Sequence, residues 1–262
     1  MTEATPTLPA DVKPIRSGVL AGWTPGEFSA AEMSFPTYRR GSGPAVLVIH
    51  EIPGITPAVA QFANDVVERG LTVVMPSLVG TPEKPPSQIY LANSMMKICI
   101  AKEFTTMAMN KTSPVISWLR ALARNVHNEV GGPGVGAVGM CFSGGFALGM
   151  MVDDIMLAPV LAQPSMPFAV GKKERGANLN LSPDDEAAII QRAQDGCQVL
   201  GLRFAGDKLV GDRFATLRNK LGDAFIAVEL PSTAKSDHST LTEQRDEASV
   251  QRVLDFFAEK LL

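Results

Sequence analysis

The chain has 262 residues, 45% of them apolar, and a formal net charge of −3. That length and apolar content suit one α/β domain with a large core, taken here as residues 1–262, and a slightly acidic balance offers no basic surface to nucleic acid. The first twenty residues scatter Thr, Pro, Asp and Lys among apolar ones instead of forming a signal-peptide block, and no later apolar run is long enough to span a membrane, so a cytoplasmic protein is expected.

Residues 1–26, with Pro6, Pro9, Pro14 and Pro25, predict an irregular lead-in. An edge strand fits within residues 27–38 and a turn within 39–44. Ala45-Val46-Leu47-Val48-Ile49 is an uninterrupted apolar run, the pattern of a central parallel strand covered on both faces. Thr56 as N-cap and Pro57 at the first helical position open a helix whose Phe62, Ala63, Val66 and Val67 share a face; Gly70 ends it, and residues 71–75 form the next strand. Strand, helix and strand at this spacing predict parallel βαβ units.

Residues 77–112 run from a Pro-rich stretch at 82–86 into a Met-rich one with Met95, Met96, Met107 and Met109. They fit a core or surface helix, or one lining a pocket, since thioethers fill irregular space. Ser113 and Pro114 open an amphipathic helix bearing Val115, Trp118, Leu119 and Leu122, and a Gly-rich turn at 131–134 follows. Further strands are expected at 135–140, 155–161, 199–204 and 225–230. Helices are expected at 146–152, 212–221 and, from the spacing of Val250, Val253, Leu254, Phe257 and Leu261, at the end of the chain. Residues 171–186 are polar and predict an excursion over the surface.

Between the strand at 135–140 and the helix after it there is no room for a loop. Cys141 therefore stands at a strained strand-to-helix turn that projects its side chain from the carboxyl end of the sheet, with small residues, Gly139 and Ser143, two positions to either side. The alternative is a small buried core thiol, the commonest fate of a free cysteine. Cys99, Cys141 and Cys197 are an odd number without metal-ligand spacing, so neither a disulfide framework nor a metal site is predicted, and no cofactor is called for.

Gly-Met-Cys-Phe-Ser-Gly-Gly, residues 139–145, resembles the Gly-x-Cys-x-Gly-Gly of the dienelactone hydrolase family, with Ser143 where that family more often has Gly. The resemblance implies an α/β-hydrolase fold, a mostly parallel sheet flanked by helices on both faces, with Cys141 as nucleophile. A thiol nucleophile needs a base, and the base needs an acceptor that fixes its tautomer. Of three histidines, His127 falls before the strand leading to Cys141, at the amino end of the sheet. His238 follows the last strand in a small polar loop, at the carboxyl end, where an idle surface histidine is the alternative. Asp207, at the exit of the strand before, completes the chain order nucleophile, acid, base of α/β-hydrolases. Asp212 is the fallback acid, better explained as a helix cap, and Asp237 is too close to His238 to face its ring.

In this fold the oxyanion is held by the amide after the nucleophile and by one from the first strand's exit, here Phe142 and Ile52. The resemblance further implies that Glu51 approaches the resting thiol and influences whether Cys141 or His238 holds the proton. A helix-capping or surface carboxylate is the alternative, and His50 is a weaker candidate for contacting a substrate oxygen. The family's arginines for a substrate carboxylate cannot be placed residue by residue; Arg203, a charge inside an apolar strand, could equally be paired structurally. The expected activity is hydrolysis of a small-molecule ester or lactone by a cysteine nucleophile, of the carboxymethylenebutenolidase type. Acyl transfer, other thiol-dependent chemistry, and a non-catalytic ligand-binding role on the same fold are the alternatives.

Overall fold

The computed structural model describes residues 13–104, 108–169 and 173–262. Its centre is a sheet of eight strands: β1 (Thr24–Ala30), β2 (Met33–Arg40), β3 (Ala45–Ile49), β4 (Thr72–Pro76), β5 (Val135–Met140), β6 (Met156–Ala162), β7 (Val199–Phe204) and β8 (Phe225–Leu230). The spatial order is β1-β2-β4-β3-β5-β6-β7-β8, with β1, β2 and β4 paired antiparallel and every pair from β4 to β8 parallel.

Strand alternation distributes the apolar runs between two layers. On β3, Val46 and Val48 join one core while Leu47 and Ile49 join the other; on β5, Val138 and Met140 oppose Val135 and Ala137. The first layer is closed by α1 (Pro57–Glu68) and the C-terminal α7 (Glu247–Leu261). The second is closed by α3 (Pro114–Val130), α4 (Phe146–Met150), α5 (Pro183–Gln194) and α6 (Arg213–Leu221). Helix α2 (Gln88–Ile100) buries only Tyr90, Ser94 and Ile98, at four-residue spacing. No helix among the described residues is long and apolar enough to cross a membrane.

Four sequence expectations are corrected. The edge is a hairpin, not one strand: Ala31 and Glu32 make its two-residue turn at φ 47° and 60° without the Gly or Asn that normally marks such a turn. Residues 1–12 of the lead-in lie outside the described residues; residues 13–23 are irregular but anchored, since Leu20 and Trp23 are buried under α1 and the Trp23 indole donates to Asn64 at 3.1 Å. Helix α5 replaces the end of the expected surface excursion, with Ser182 as its cap, and residues 170–172 of that stretch lie outside the described residues. Helix α4 ends at Met150, short of the expected 152. Met107 of the Met-rich run also lies outside the described residues.

Candidate active site

The parallel strands all deliver their exits to one edge, and the candidate residues come from those exits. Cys141 follows β5 directly, at φ 56°, in a single 3-10 turn over Cys141–Ser143. A non-Gly residue in the left-handed region costs roughly 1–2 kcal/mol, so the surroundings must hold it there. They do so through the backbone: the Cys141 carbonyl accepts from the Gly144 amide at 2.9 Å and from the Ser165 amide at 3.0 Å. The small neighbours are a steric requirement, because a Cβ on Gly139 would fall 2.1 Å from the Ser143 carbonyl oxygen. Ser143 is fully buried. Its hydroxyl accepts from the Met140 amide at 2.9 Å and lies 3.0 Å from the carbonyls of Ile49 and His50, tying the turn to the exit of β3.

Asp207 leaves β7 and His238 lies in the loop after β8. The His238 Nδ1–H donates to Asp207 Oδ2 at 2.7 Å, and Asp207 Oδ1 accepts from the Leu209 amide at 2.9 Å. Nε2 of His238 is buried and makes no well-formed hydrogen bond, although the Cys141 sulfur is close enough to act on the ring. Burial works to lower the His238 pKa, but the charge of Cys141, hydrogen bonding to Asp207 and Cys141, and the charge of Asp207 together raise it to about 11. Cys141 and His238 share a cleft of about 630 Å³, also lined by Glu51, Ile52, Leu91, Met95 and Leu209. Met95 thus gives the Met-rich stretch a pocket-lining side.

Glu51 is buried at the exit of β3 and lines the same cleft, but its carboxylate is held from the His238 loop. Oε1 accepts from Thr242, and Oε2 accepts from Ser239 at 2.7 Å and from the Gln163 amide at 3.4 Å. The thiol is not among its hydrogen-bond partners. Burial raises the Glu51 pKa against the opposing effect of these hydroxyls and of His238. Gln163 also accepts from the Thr240 hydroxyl at 2.9 Å, so Glu51 and Gln163 together brace the segment that follows His238. Ile52 enters a cis peptide bond to Pro53, and its amide has no acceptor among the described residues.

The other candidates fall outside the chemistry. His50 is fully buried, with Nδ1–H donating to the Glu51 carbonyl at 2.8 Å and Nε2 accepting from the Leu78 amide at 3.0 Å. Both nitrogens are committed to backbone and burial lowers the pKa to about 4, so it is a neutral fixture of the loop, not a substrate contact. Asp212 takes the N-cap position of α6 without a side-chain cap bond, and Asp237 accepts from Thr233 and Ala234 amides at 2.6 and 2.8 Å, closing its own turn. Arg203 pairs with Glu229 at 2.8 Å and lies over the Phe214 ring, a structural assignment. His127 sits in the last turn of α3, at the amino end of the sheet.

Sequence reasoning missed Arg213. It is buried to 1% exposure, and its guanidinium donates to six backbone carbonyls: Met166, Pro167, Arg175, Asn178, Leu209 and Val210. Burial lowers its pKa to about 10, partly offset by the charge of Asp207. It fastens the acid loop to the segment after β6. A basic residue in the first turn of a helix opposes the dipole there, which is the signal that could have marked it.

The family model for the dienelactone hydrolase family matches residues 33–261. The chain belongs to the dienelactone hydrolase family. As a member of that family it is an ester or lactone hydrolase acting on a small molecule. Among solved structures, a dienelactone hydrolase from Anabaena variabilis matches with TM-score 0.59 at 16% identity, over 91% of this chain and 99% of that one. A dienelactone hydrolase-like promiscuous phosphotriesterase from metagenomic libraries matches with TM-score 0.64 at 14% identity, over 92% and 98%. A cold-adapted esterase from an Arctic intertidal metagenomic library matches with TM-score 0.61 at 15% identity, over 98% and 100%. At these identities the likeness is one of fold. No curated protein matches the sequence.

Proposed function

We propose that the protein hydrolyses small esters or lactones with Cys141 as nucleophile, His238 as base and acid, and Asp207 as the group that orients His238. The observation that carries this reading is the 2.7 Å bond from His238 Nδ1 to Asp207 while the buried Nε2 shares a cleft with a cysteine held at a left-handed turn. A fixed Nδ1–H leaves Nε2 as the nitrogen that exchanges a proton with the sulfur.

In the first half-reaction the Cys141 sulfur adds to the carbonyl carbon and the carbonyl electron pair moves to oxygen, which the Ile52 and Phe142 amides receive. Collapse breaks the carbon–oxygen bond to the leaving alcohol, which takes a proton from His238 Nε2, and a thioester remains. Water then gives a proton to Nε2 as it attacks the thioester, and collapse releases the acid and restores the thiol. For a lactone, the alcohol stays attached to the acyl chain and the product is one hydroxy acid. Glu51 acts from the wall of the cleft: its charge favours a proton on His238 and opposes a second negative charge on sulfur. A cytoplasmic location suits a catalytic cysteine that must stay reduced.

The test is hydrolysis of p-nitrophenyl acetate and of simple lactones by wild type, Cys141→Ala and Cys141→Ser, with mass spectrometry for an acyl group on Cys141. Loss of at least about 10³-fold in Cys141→Ala and an acyl adduct on the wild type are expected. Full activity in Cys141→Ala would overturn the reading.

A further inference from the structure

The two walls of the cleft differ in chemistry, and the difference bears on charge. One part is mostly apolar, with Ile52, Pro53, Leu91, Met95 and Leu209 beside the polar Gln88 of α2. The other, the His238 loop and its continuation, presents Ser236, Gln244 and the exposed carboxylate of Glu243, with Glu51 buried behind. Among the described residues no Arg or Lys lines the cleft. Nearby cations are committed elsewhere: Arg213 to backbone carbonyls, Arg203 to Glu229, and Lys84 to the Tyr90 ring at 4.5 Å. Lys208 and Lys235 are exposed on the flanking loops, outside the lining.

A substrate carboxylate entering this cleft would find no Arg or Lys to replace its hydration and would face a like charge at the rim. Burial raises the Glu51 pKa, and the charge of Glu243 adds to that rise, so the field of Glu243 reaches Glu51 in the cleft lining. An apolar group would instead lie against Leu91, Met95 and Leu209, with an amine beside Glu243.

We infer that the substrates are neutral or amine-bearing esters or lactones with an apolar part, and that Glu243 determines specificity by turning away those that carry a carboxylate. This rests on the reading of Cys141 as the hydrolytic nucleophile.

The experiment compares kcat/KM at low ionic strength for three esters of matched size with neutral, carboxylate and ammonium tails. In wild type the carboxylate ester is expected to be poorer than the neutral one by roughly tenfold, the factor one like charge gives at the intermediate dielectric of a cleft. The ammonium ester should equal or exceed the neutral one. Glu243→Gln should bring the carboxylate-to-neutral ratio towards one and Glu243→Lys should raise it further, with the differences shrinking at high salt. A wild type that prefers the carboxylate ester, or a ratio that Glu243→Lys leaves unmoved, overturns the inference.

Failure of the hydrolase reading itself would look different: no ester is turned over, or Cys141→Ala is as active as wild type. The charge rule is then read on the thiol without turnover, from the ratio of Cys141 labelling by anionic iodoacetate to that by neutral iodoacetamide, with exposed Cys99 as internal reference. Glu243→Lys should raise that ratio at Cys141 and not at Cys99. An equal ratio in the two proteins overturns the inference whether or not any ester is hydrolysed.

Discussion

Replacing Asp207 by Asn tests the core of the site with one atom changed. In the wild type Oδ1 accepts from the Leu209 amide and Oδ2 accepts from His238 Nδ1–H. An Asn side chain has one acceptor for these two donors. If its carbonyl stays on Leu209, its NH2 faces Nδ1, and the imidazole must adopt the tautomer with the proton on Nε2, where it can no longer take one from sulfur or water. If it flips, the amide clashes with the Leu209 N–H. The first arrangement leaves both donors paired and is favoured, so the base is lost, and the expected fall in kcat is about 10³- to 10⁴-fold, equivalent to roughly 4–5.5 kcal/mol of barrier.

The same change acts on stability with a definite sign. The folded pKa of His238 is raised to about 11, above the ordinary unfolded value of about 6.5. The stabilisation from its proton is therefore fully present below about pH 6.5 and disappears as pH rises towards 11. Asp207→Asn removes part of that rise, so the variant should fall furthest behind wild type in Tm at mildly acidic pH and approach it in alkali. The checks are kcat/KM from pH 5 to 10 and thermal unfolding over the same range. A loss of less than tenfold in kcat, or a Tm difference that grows with pH, would refute the reasoning.

The other cysteines should be dispensable: Cys99→Ala and Cys197→Ala are expected to keep activity within about threefold of wild type, because one is exposed and the other bonds only weakly to the Met156 carbonyl at 3.5 Å. Arg213→Met leaves six carbonyls without their donor and should destabilise the fold by about 3 kcal/mol or more, read as a lower Tm; Arg213→Lys should not rescue it, since an ammonium cannot span the same fork of acceptors. Glu51→Gln should speed the labelling of the Cys141 thiol by iodoacetamide at neutral pH, because a negative charge on the cleft wall is removed. Slower labelling with loss of turnover would instead assign Glu51 an activating role.

What the sequence revealed was whatever depends on local pattern and chain order. The apolar runs of β3 and β5 are unbroken because both faces are covered, and the placing of Asp207 and His238 needed only the rule that strand exits share an edge. The first hairpin was hidden because Ala31 and Glu32 make its turn against their usual preference. Helix α5 was hidden because it buries only Ile189 and Ala193, leaving almost no apolar stripe. The supports of the site lie further from local reading: Gln163 meets Thr240 across 77 residues, Glu51 meets Ser239 across 188, and no spacing rule joins them. His50 looked available because it adjoins Glu51, and only the tertiary approach of the Leu78 amide to its Nε2 commits it.

Those long-range supports explain how the strained turn at Cys141 can persist and why the cleft opens where it does. The Ser143 hydroxyl holds the turn to the exit of β3, the Ser165 amide holds it to the segment after β6, and Arg213 ties that segment to the loop carrying Asp207. Glu51 and Gln163 hold the residues following His238 in the same way. Each link is a buried hydrogen bond to backbone or between side chains, so loosening one leaves a desolvated group unpaired, and the set resists piecemeal opening. Helix α2 is bound differently: Ile89, Met96 and Ile100 are all largely exposed, and α2 rests on three buried side chains. The thiol and its partners are therefore fixed from below and behind, while the apolar wall facing them has the fewest anchors. Substrate should enter along that wall, with its apolar part sliding against Leu91 and Met95 before its carbonyl reaches the sulfur.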